Sequence, residues 1–235
     1  MNIYIYIEGA GDEDDIEQLP RQRPGFRSGI RSGKETTTGL RQGFIKFFQN
    51  LYDIAGENIK IFIVMCGSRS DAYENFKIAL ESQPEAFNVL LIDAESPVYS
   101  TVTPWEHLRN RTEDHPWILD AVNFEDDWCH LMVQTMEAWF IADIDALREF
   151  YGKGLRENII LQGMARNRSV ETISKATLKV WLEAATRRTE KKKYHKTRHA
   201  PKLLALLNVA RVCQASTYCD RLFTTLTARM ATSAS

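Results

Sequence analysis

Four acidic residues and one arginine stand where short apolar runs end. Glu8 follows NIYIYI (2–7), and Arg69 follows IKIFIVMC (59–66) after Gly67 and Ser68. Asp93 and Glu95 close FNVLLIDAES (87–96), and Glu137 follows CHLMVQTM (129–136). Carboxylates held close together repel one another unless a cation lies between them. That cation is either an arginine or a metal. Residues i and i+2 of a strand point to the same face, so Asp93 and Glu95 are predicted to project side by side. A few carboxylates suit Mg²⁺ or Mn²⁺, which take oxygen ligands and keep waters that substrate phosphates replace. A pair of such ions activates a water and stabilises the leaving oxygen of a phosphodiester.

A second group of residues suits the same substrate. Residues 187–202 (RRTEKKKYHKTRHAPK) carry eight Lys/Arg against one Glu, interleaved with Tyr194, His195 and His199. Such a run is either a solvated face or a surface for a polyanion such as DNA or RNA. Lys196 or Lys202 could set a cation near charge developing on a phosphate, and Arg198 adds to that surface. His195 and His199 lie four apart and would share one helix face. Phosphate contact suits them better than zinc, since no third ligand is evident. Arg69 either contacts phosphate or forms a salt bridge to Asp93. Glu137 is either a second-metal ligand or a first-turn acid favoured by the helix dipole. Asp12 and Asp143 are further acids that either ligate or cap a turn or helix. SGKETTTG (32–39) is not a phosphate-binding loop, because that motif needs glycine at 28 and Ser/Thr at 35 where this chain has Ser28 and Glu35.

The elements that must position these residues follow from periodicity. Residues 2–7 alternate as a strand, and 9–35 lack apolar periodicity and read as a long loop. Leu40, Phe44, Phe47, Phe48 and Leu51 predict a helix over 37–54. Strands are expected at 59–66, 87–96 and 129–136, with a helix at 70–82. Residues 97–127 form a connection with one helical turn around 105–111. Helices are expected through EAWFIADIDALREFYG (137–152) and over 169–186, 199–207 and 216–230. Strands alternating with helices predict an α/β chain with a mostly parallel four-stranded sheet flanked by helices. Residues 1–143 would form this core and 144–235 a helical extension carrying the basic segment. Ligands of such sheets gather beyond the carboxyl ends of the strands, where Glu8, Arg69, Asp93, Glu95 and Glu137 lie.

Composition fits a globular chain of 235 residues, 44% hydrophobic and 26% charged, with net charge −1. The charge is uneven, because residues 8–17 hold six acids and no base. No apolar run approaches the roughly 20 residues that span a bilayer, and the acidic start does not read as a signal peptide. Cys66, Cys129, Cys213 and Cys219 form no CxxC pair and read as reduced thiols of a cytoplasmic protein. The five tryptophans are spread out and read as core.

Glu8-Gly9-Ala10-Gly11-Asp12 has the form E-G-x-x-D, and Asp93-Ala94-Glu95 the form D-x-E. Their order resembles the Toprim fold of topoisomerases, primases and overcoming-lysogenization-defect nucleases. There a Glu after the first strand and a D-x-D after a later strand hold Mg²⁺ for phosphoryl transfer. More narrowly, the chain resembles an uncharacterised prokaryotic family of Toprim-like character found beside AAA ATPases in defence loci. CGSRSDAYENF (66–76), LLIDAESPV (91–98), WEHLRNR (105–111), HLMVQTMEAWFIAD (130–143) and YHKTRHAPKLLALL (194–207) carry that likeness. The resemblance implies a Mg²⁺- or Mn²⁺-dependent nuclease cutting DNA or RNA, with Glu8, Asp93 and Glu95 as ligands, Glu137 behind them and Lys196 assisting. Glu95 in place of the usual Asp lengthens one arm and shifts the metal. The alternative is a non-catalytic binding or sensor subunit docked on an AAA ATPase; a phosphotransferase using the same acids is a third reading. A homodimer is compatible with each.

Overall fold

The computed structural model describes residues 1–9, 34–56, 58–99, 101–111 and 124–233. Asp12, most of the expected 9–35 loop and residues 112–123 of the long connection lie outside the described residues.

The alternation in NIYIYI sets the architecture. Ile3, Ile5 and Ile7 belong to one apolar cluster, Tyr4 and Tyr6 to another, and all five are buried. A strand buried on both faces is a central one. β1 (Asn2–Ile7) pairs with β2 (Lys60–Met65) on one side and β3 (Phe87–Asp93) on the other, and β4 (Cys129–Met132) lies beyond β3. All three pairings are parallel, with Ile5 opposite both Ile63 and Val89. The order β2-β1-β3-β4 means that the chain leaves β1 for one side and then crosses to the other. The switch point, where the strand ends part into a crevice, is therefore between β1 and β3.

Helices cover both faces. α1 (Lys34–Phe47) and α2 (Gln49–Ile54) bring Phe44, Phe47, Phe48 and Leu51 onto the isoleucine face. α3 (Arg69–Ser82) and α4 (Pro104–Arg109) cover the tyrosine face with Ala72, Tyr73, Phe76, Trp105 and Leu108. The chain continues through α5 (Glu137–Ala142), α6 (Ile144–Tyr151), α7 (Asn158–Met164), α8 (Lys175–Thr186), α9 (Lys196–Leu204), α10 (Val209–Ala215) and α11 (Thr217–Ser233). These helices share the isoleucine-face cluster. Trp139 of α5 stacks on Phe47 at 4.9 Å, and Phe223 of α11 meets the same ring edge-on at 5.6 Å. Fully burying each such ring contributes on the order of 2–3 kcal/mol.

One glycine brings the basic segment against α1. A Cβ on Gly43 of α1 would lie 2.6 Å from the Pro201 carbonyl oxygen, so only glycine lets the α1 and α9 backbones touch. α9 starts at Lys196, so this packing helps set where that lysine enters. No helix among the described residues is long and apolar enough to cross a membrane.

The expected helix over 37–54 is divided at Phe48, and that over 137–152 at Asp143. The Asp143 carboxylate caps α6 through the Ala146 N–H at 3.4 Å and also receives Asn208 N–H and Arg211 Nη1. The expected helix over 169–186 is a 3₁₀ turn at Val170–Thr172 followed by α8, whose start Ser174 caps. α7 and α10, of seven residues each, were absent from the sequence-based reading because they are too short for a periodic stripe. Two strands are shorter than expected, ending at Asp93 and Met132 rather than at 96 and 136.

Candidate metal centre

Glu8, Asp93 and Glu95 converge at the switch point, each offering a carboxylate oxygen within 4.8 Å of the others. Three different local devices bring them there. Glu8 follows the last residue of β1, its N–H still bonded to the Leu91 carbonyl at 3.4 Å. Gly9 then donates to the Gly67 carbonyl at 2.9 Å, and a Cβ on Gly9 would come within 2.7 Å of Met65 Cε. The Glu-Gly pair therefore lets the ends of β1 and β2 close on each other. Asp93 is the last residue of β3, and its Oδ1 accepts the Met136 N–H at 2.8 Å, which turns the side chain toward the β4–α5 junction.

Glu95 does not reach the site by strand alternation. β3 ends two residues earlier, and Glu95 adopts φ 63°. That left-handed conformation costs a non-glycine residue roughly 1–2 kcal/mol. Hydrogen bonds hold it: Glu95 N–H donates to the Gln134 carbonyl at 2.7 Å, and Ala94 N–H to the Met132 carbonyl at 3.0 Å. The Ala94 carbonyl accepts from His107 Nε2 at 3.0 Å and Arg111 Nη1 at 2.9 Å. The WEHLRNR stretch thus clamps the turn that presents Glu95.

Among the described residues, three cations face the acids. The Ser68–Asp71 capping box starts α3 and fixes Arg69 in its first turn, where the helix dipole disfavours a cation. The acids offset that cost: Arg69 Nε lies 3.3 Å from Glu8 Oε2, and Nη2 lies 3.7 Å from Glu95 Oε1. Arg69 Nη2 also donates to the Asp93 carbonyl at 2.8 Å. The bridge expected to the Asp93 side chain thus goes to the Asp93 backbone and to the two neighbouring acids. Lys196 Nζ stands 3.7 Å from Asp93 Oδ2 and 3.9 Å from Glu137 Oε1. Lys175, at the start of α8, pairs with both Glu95 oxygens, 2.7 Å from Oε1. Sequence reasoning missed Lys175 because nothing local marks a lysine whose partner is 80 residues away.

Burial decides the electrostatics. It pushes the Asp93 carboxyl up to about 7; Lys196 and the Met136 N–H pull it down, while Glu8 and Glu137 raise it further. Partial burial works to lower the Lys196 ammonium, but Asp93, Glu137, Glu8 and Glu95 outweigh it and hold the group above its ordinary value. Glu137 is buried in the first turn of α5 and accepts the Tyr194 hydroxyl at 3.0 Å. It combines both readings open to it, a first-turn acid that also faces the cluster through Lys196.

The other expected phosphate ligands are placed differently. His195 precedes α9, exposed, with Nδ1 3.0 Å from Thr197 Oγ1. His199 is turned inward among Phe150, Tyr151 and Tyr194. Its Nδ1 accepts the Tyr151 hydroxyl at 2.9 Å and the His195 N–H at 3.1 Å. The two histidines therefore do not form a paired face. Arg198 and Lys202 are exposed on α9.

The donor set fits a hard divalent cation. Mg²⁺ takes oxygen ligands at about 2.0–2.1 Å, and the three carboxylates offer oxygens within 4.8 Å of one another. Such an ion would compete with Arg69 and Lys175 for Glu8 and Glu95.

No curated protein and no solved structure matches the chain. A family profile matches residues 33–227, which takes in Arg69, Asp93, Glu95, Glu137, Lys175 and Lys196 but leaves out β1 and Glu8. By that match the chain belongs to the family described as Domain of unknown function (DUF4276).

Proposed function

We propose that the chain is a Mg²⁺- or Mn²⁺-dependent phosphodiesterase of Toprim type, hydrolysing DNA or RNA. The observation that carries this reading is the convergence of Glu8, Asp93 and Glu95 within 4.8 Å at the switch point of a parallel sheet. Those three would hold the ion, with Glu137 behind them. When bound, such an ion polarises a phosphodiester and lowers the pKa of a bound water. Lys196, between Asp93 and Glu137, places a cation beside the acids, where charge developing on a phosphate would be stabilised. Lys175, displaced from Glu95, and Arg69, displaced from Glu8 but still held by the Asp93 carbonyl, would each bring a cation beside the phosphate oxygens. As the resemblance implies, the setting would be anti-phage defence beside an AAA ATPase.

The second reading, a non-catalytic nucleic-acid sensor, is favoured by the ion pairs that Arg69 and Lys175 already make with Glu8 and Glu95. One experiment separates the two. Purified protein is titrated with Mn²⁺ by electron paramagnetic resonance and incubated with single- and double-stranded DNA and RNA. Hydrolysis requires Mn²⁺ uptake and divalent-dependent cleavage, both lost in Asp93→Asn, whose amide oxygen can still accept the Met136 N–H. Nucleic-acid binding without Mn²⁺ uptake selects the sensor.

A further inference from the structure

The cysteines looked unrelated in sequence, yet two of them meet. Cys213 of α10 and Cys219 of α11 place their sulfurs 3.7 Å apart. The junction between the two helices is tightly held. Ser216 N–H bonds to the Val212 carbonyl at 2.8 Å, and the Ser216 hydroxyl accepts the Cys219 N–H at 3.1 Å. The Glu171 carboxylate gathers the same corner, accepting from Ser216 Oγ at 2.6 Å, Thr217 Oγ1 at 2.9 Å and Tyr218 N–H at 2.9 Å. Cys213 is half-buried whereas Cys219 is buried. Cys213 is therefore the more accessible residue of the two.

We propose that Cys213 and Cys219 form an oxidative modification site, closed to a disulfide by hydroperoxides. The Cys213 thiolate attacks the peroxide: a sulfur–oxygen bond forms, the oxygen–oxygen bond breaks, and sulfur is oxidised as the peroxide is reduced. Cys219 then loses its proton, and its sulfur displaces the hydroxyl of the Cys213 sulfenic acid, which leaves as water. Two thiols and one hydrogen peroxide thus give one disulfide and two waters. The Cys219 S–H hydrogen bond favours the Cys213 thiolate and holds that thiol below its ordinary range. The fixed corner supplies the proximity that makes the second step intramolecular. Cys66 and Cys129 are buried in the cluster on the other face of the sheet and serve as internal references.

The test uses reduced full-length protein, hydrogen peroxide, alkylation after unfolding, and trypsin. Cleavage after Arg211 and Arg221 releases both cysteines in one peptide, residues 212–221. Expected is loss of two hydrogens from that peptide, no alkyl uptake by it, and full recovery with dithiothreitol, while Cys66 and Cys129 alkylate completely. Cys219→Ser should accumulate a Cys213 sulfenic acid that dimedone traps, and Cys213→Ser should leave Cys219 reduced. The proposal is overturned if both cysteines of the peptide alkylate at a peroxide dose that consumes half of a free-cysteine standard. It is equally overturned if Cys213 proceeds to sulfinic acid without a disulfide.

Discussion

Lys175 Nζ lies 2.7 Å from Glu95 Oε1, joining the start of α8 to the turn after β3 across 80 residues of sequence. Lys175 is half exposed and Glu95 mostly buried, so the pair is partly screened and worth on the order of 1 kcal/mol or less. A divalent ion entering the acid triad must displace this ammonium from Glu95. Lys175→Met is therefore expected to tighten Mn²⁺ binding by roughly two- to fivefold, the equivalent of that pair energy. Lys175→Arg should leave it near the wild-type value. Titration of free Mn²⁺ by electron paramagnetic resonance reads both. Weaker binding in Lys175→Met would mean that the lysine supports the site rather than competes for it.

The exposed cations of α9 make a separate claim. If Arg198 and Lys202 track a nucleic-acid backbone, each neutralises about one phosphate. Removing one should then lower the slope of log affinity against log salt by about 0.9 for duplex DNA and about 0.7 for single strands. Arg198→Ala and Lys202→Ala, measured by fluorescence anisotropy from 50 to about 200 mM salt, give that slope directly. Unchanged slopes would place the substrate path elsewhere. Neither residue pairs with the acid triad in the contacts described above, so Mn²⁺ binding should be unaffected.

What was legible in the sequence is what short-range pattern encodes. The alternation of Ile3, Ile5 and Ile7 with Tyr4 and Tyr6 announces a central strand, and the acids at strand ends announce convergence because parallel strands share one carboxyl edge. The nearness of Glu95 to Asp93 and Glu8 was legible, but for the wrong reason. It arrives through a left-handed turn clamped by His107 and Arg111, and no spacing rule reports that. The helix breaks at Phe48 and Asp143 were hidden because apolar periodicity runs through them. His199 looked like a phosphate ligand because its four-residue spacing from His195 ignores Tyr151, which claims its Nδ1. Lys175 depends on tertiary packing alone, and the Cys213–Cys219 pair on the corner that Ser216 and Glu171 fix.

His130 gives the fold a pH dependence. Its ring is fully buried on β4, with Nε2–H donating to the Asp127 carbonyl at 3.1 Å and Nδ1 accepting from Arg221 Nη1 at 3.1 Å. Burial first, and then the Arg221 charge, push the imidazole down to about 3. Between about pH 3 and 6.5 the unfolded chain takes up a proton that the folded one refuses. Stability from this group is thus complete above pH 6.5 and is lost as pH falls, by up to about 1.4 kcal/mol per pH unit. Asp93, raised to about 7 from 3.8, acts in the opposite direction, since its folded form holds the proton longer. The difference between wild type and His130→Gln cancels Asp93 and isolates the histidine. Urea midpoints should show that difference rising from about pH 4 to 6.5 and flat above. A difference independent of pH would mean that His130 titrates in the folded chain as it does in the unfolded one.

Gly163 tests the packing of the helical region with a reversal of sign. Alanine in place of glycine inside a helix ordinarily stabilises by about 1 kcal/mol. Here a Cβ would lie inside the van der Waals surface of the Trp181 ring, 2.7 Å from Cζ3 and nearer still to Cη2 and Cζ2. Overpacking against a ring wedged between α7 and α8 costs about 1–3 kcal/mol, which outweighs the propensity gain. Gly163→Ala should therefore lower stability by up to about 2 kcal/mol, read as a lower urea midpoint at unchanged slope. With Trp181→Leu the ring is gone, and the same Gly163→Ala change should become stabilising by up to about 1 kcal/mol, as propensity alone dictates. The double-mutant cycle isolates the clash, because the two side chains touch and their effects cannot add. If Gly163→Ala stabilises the wild-type background as well, the indole does not pack on α7 as described.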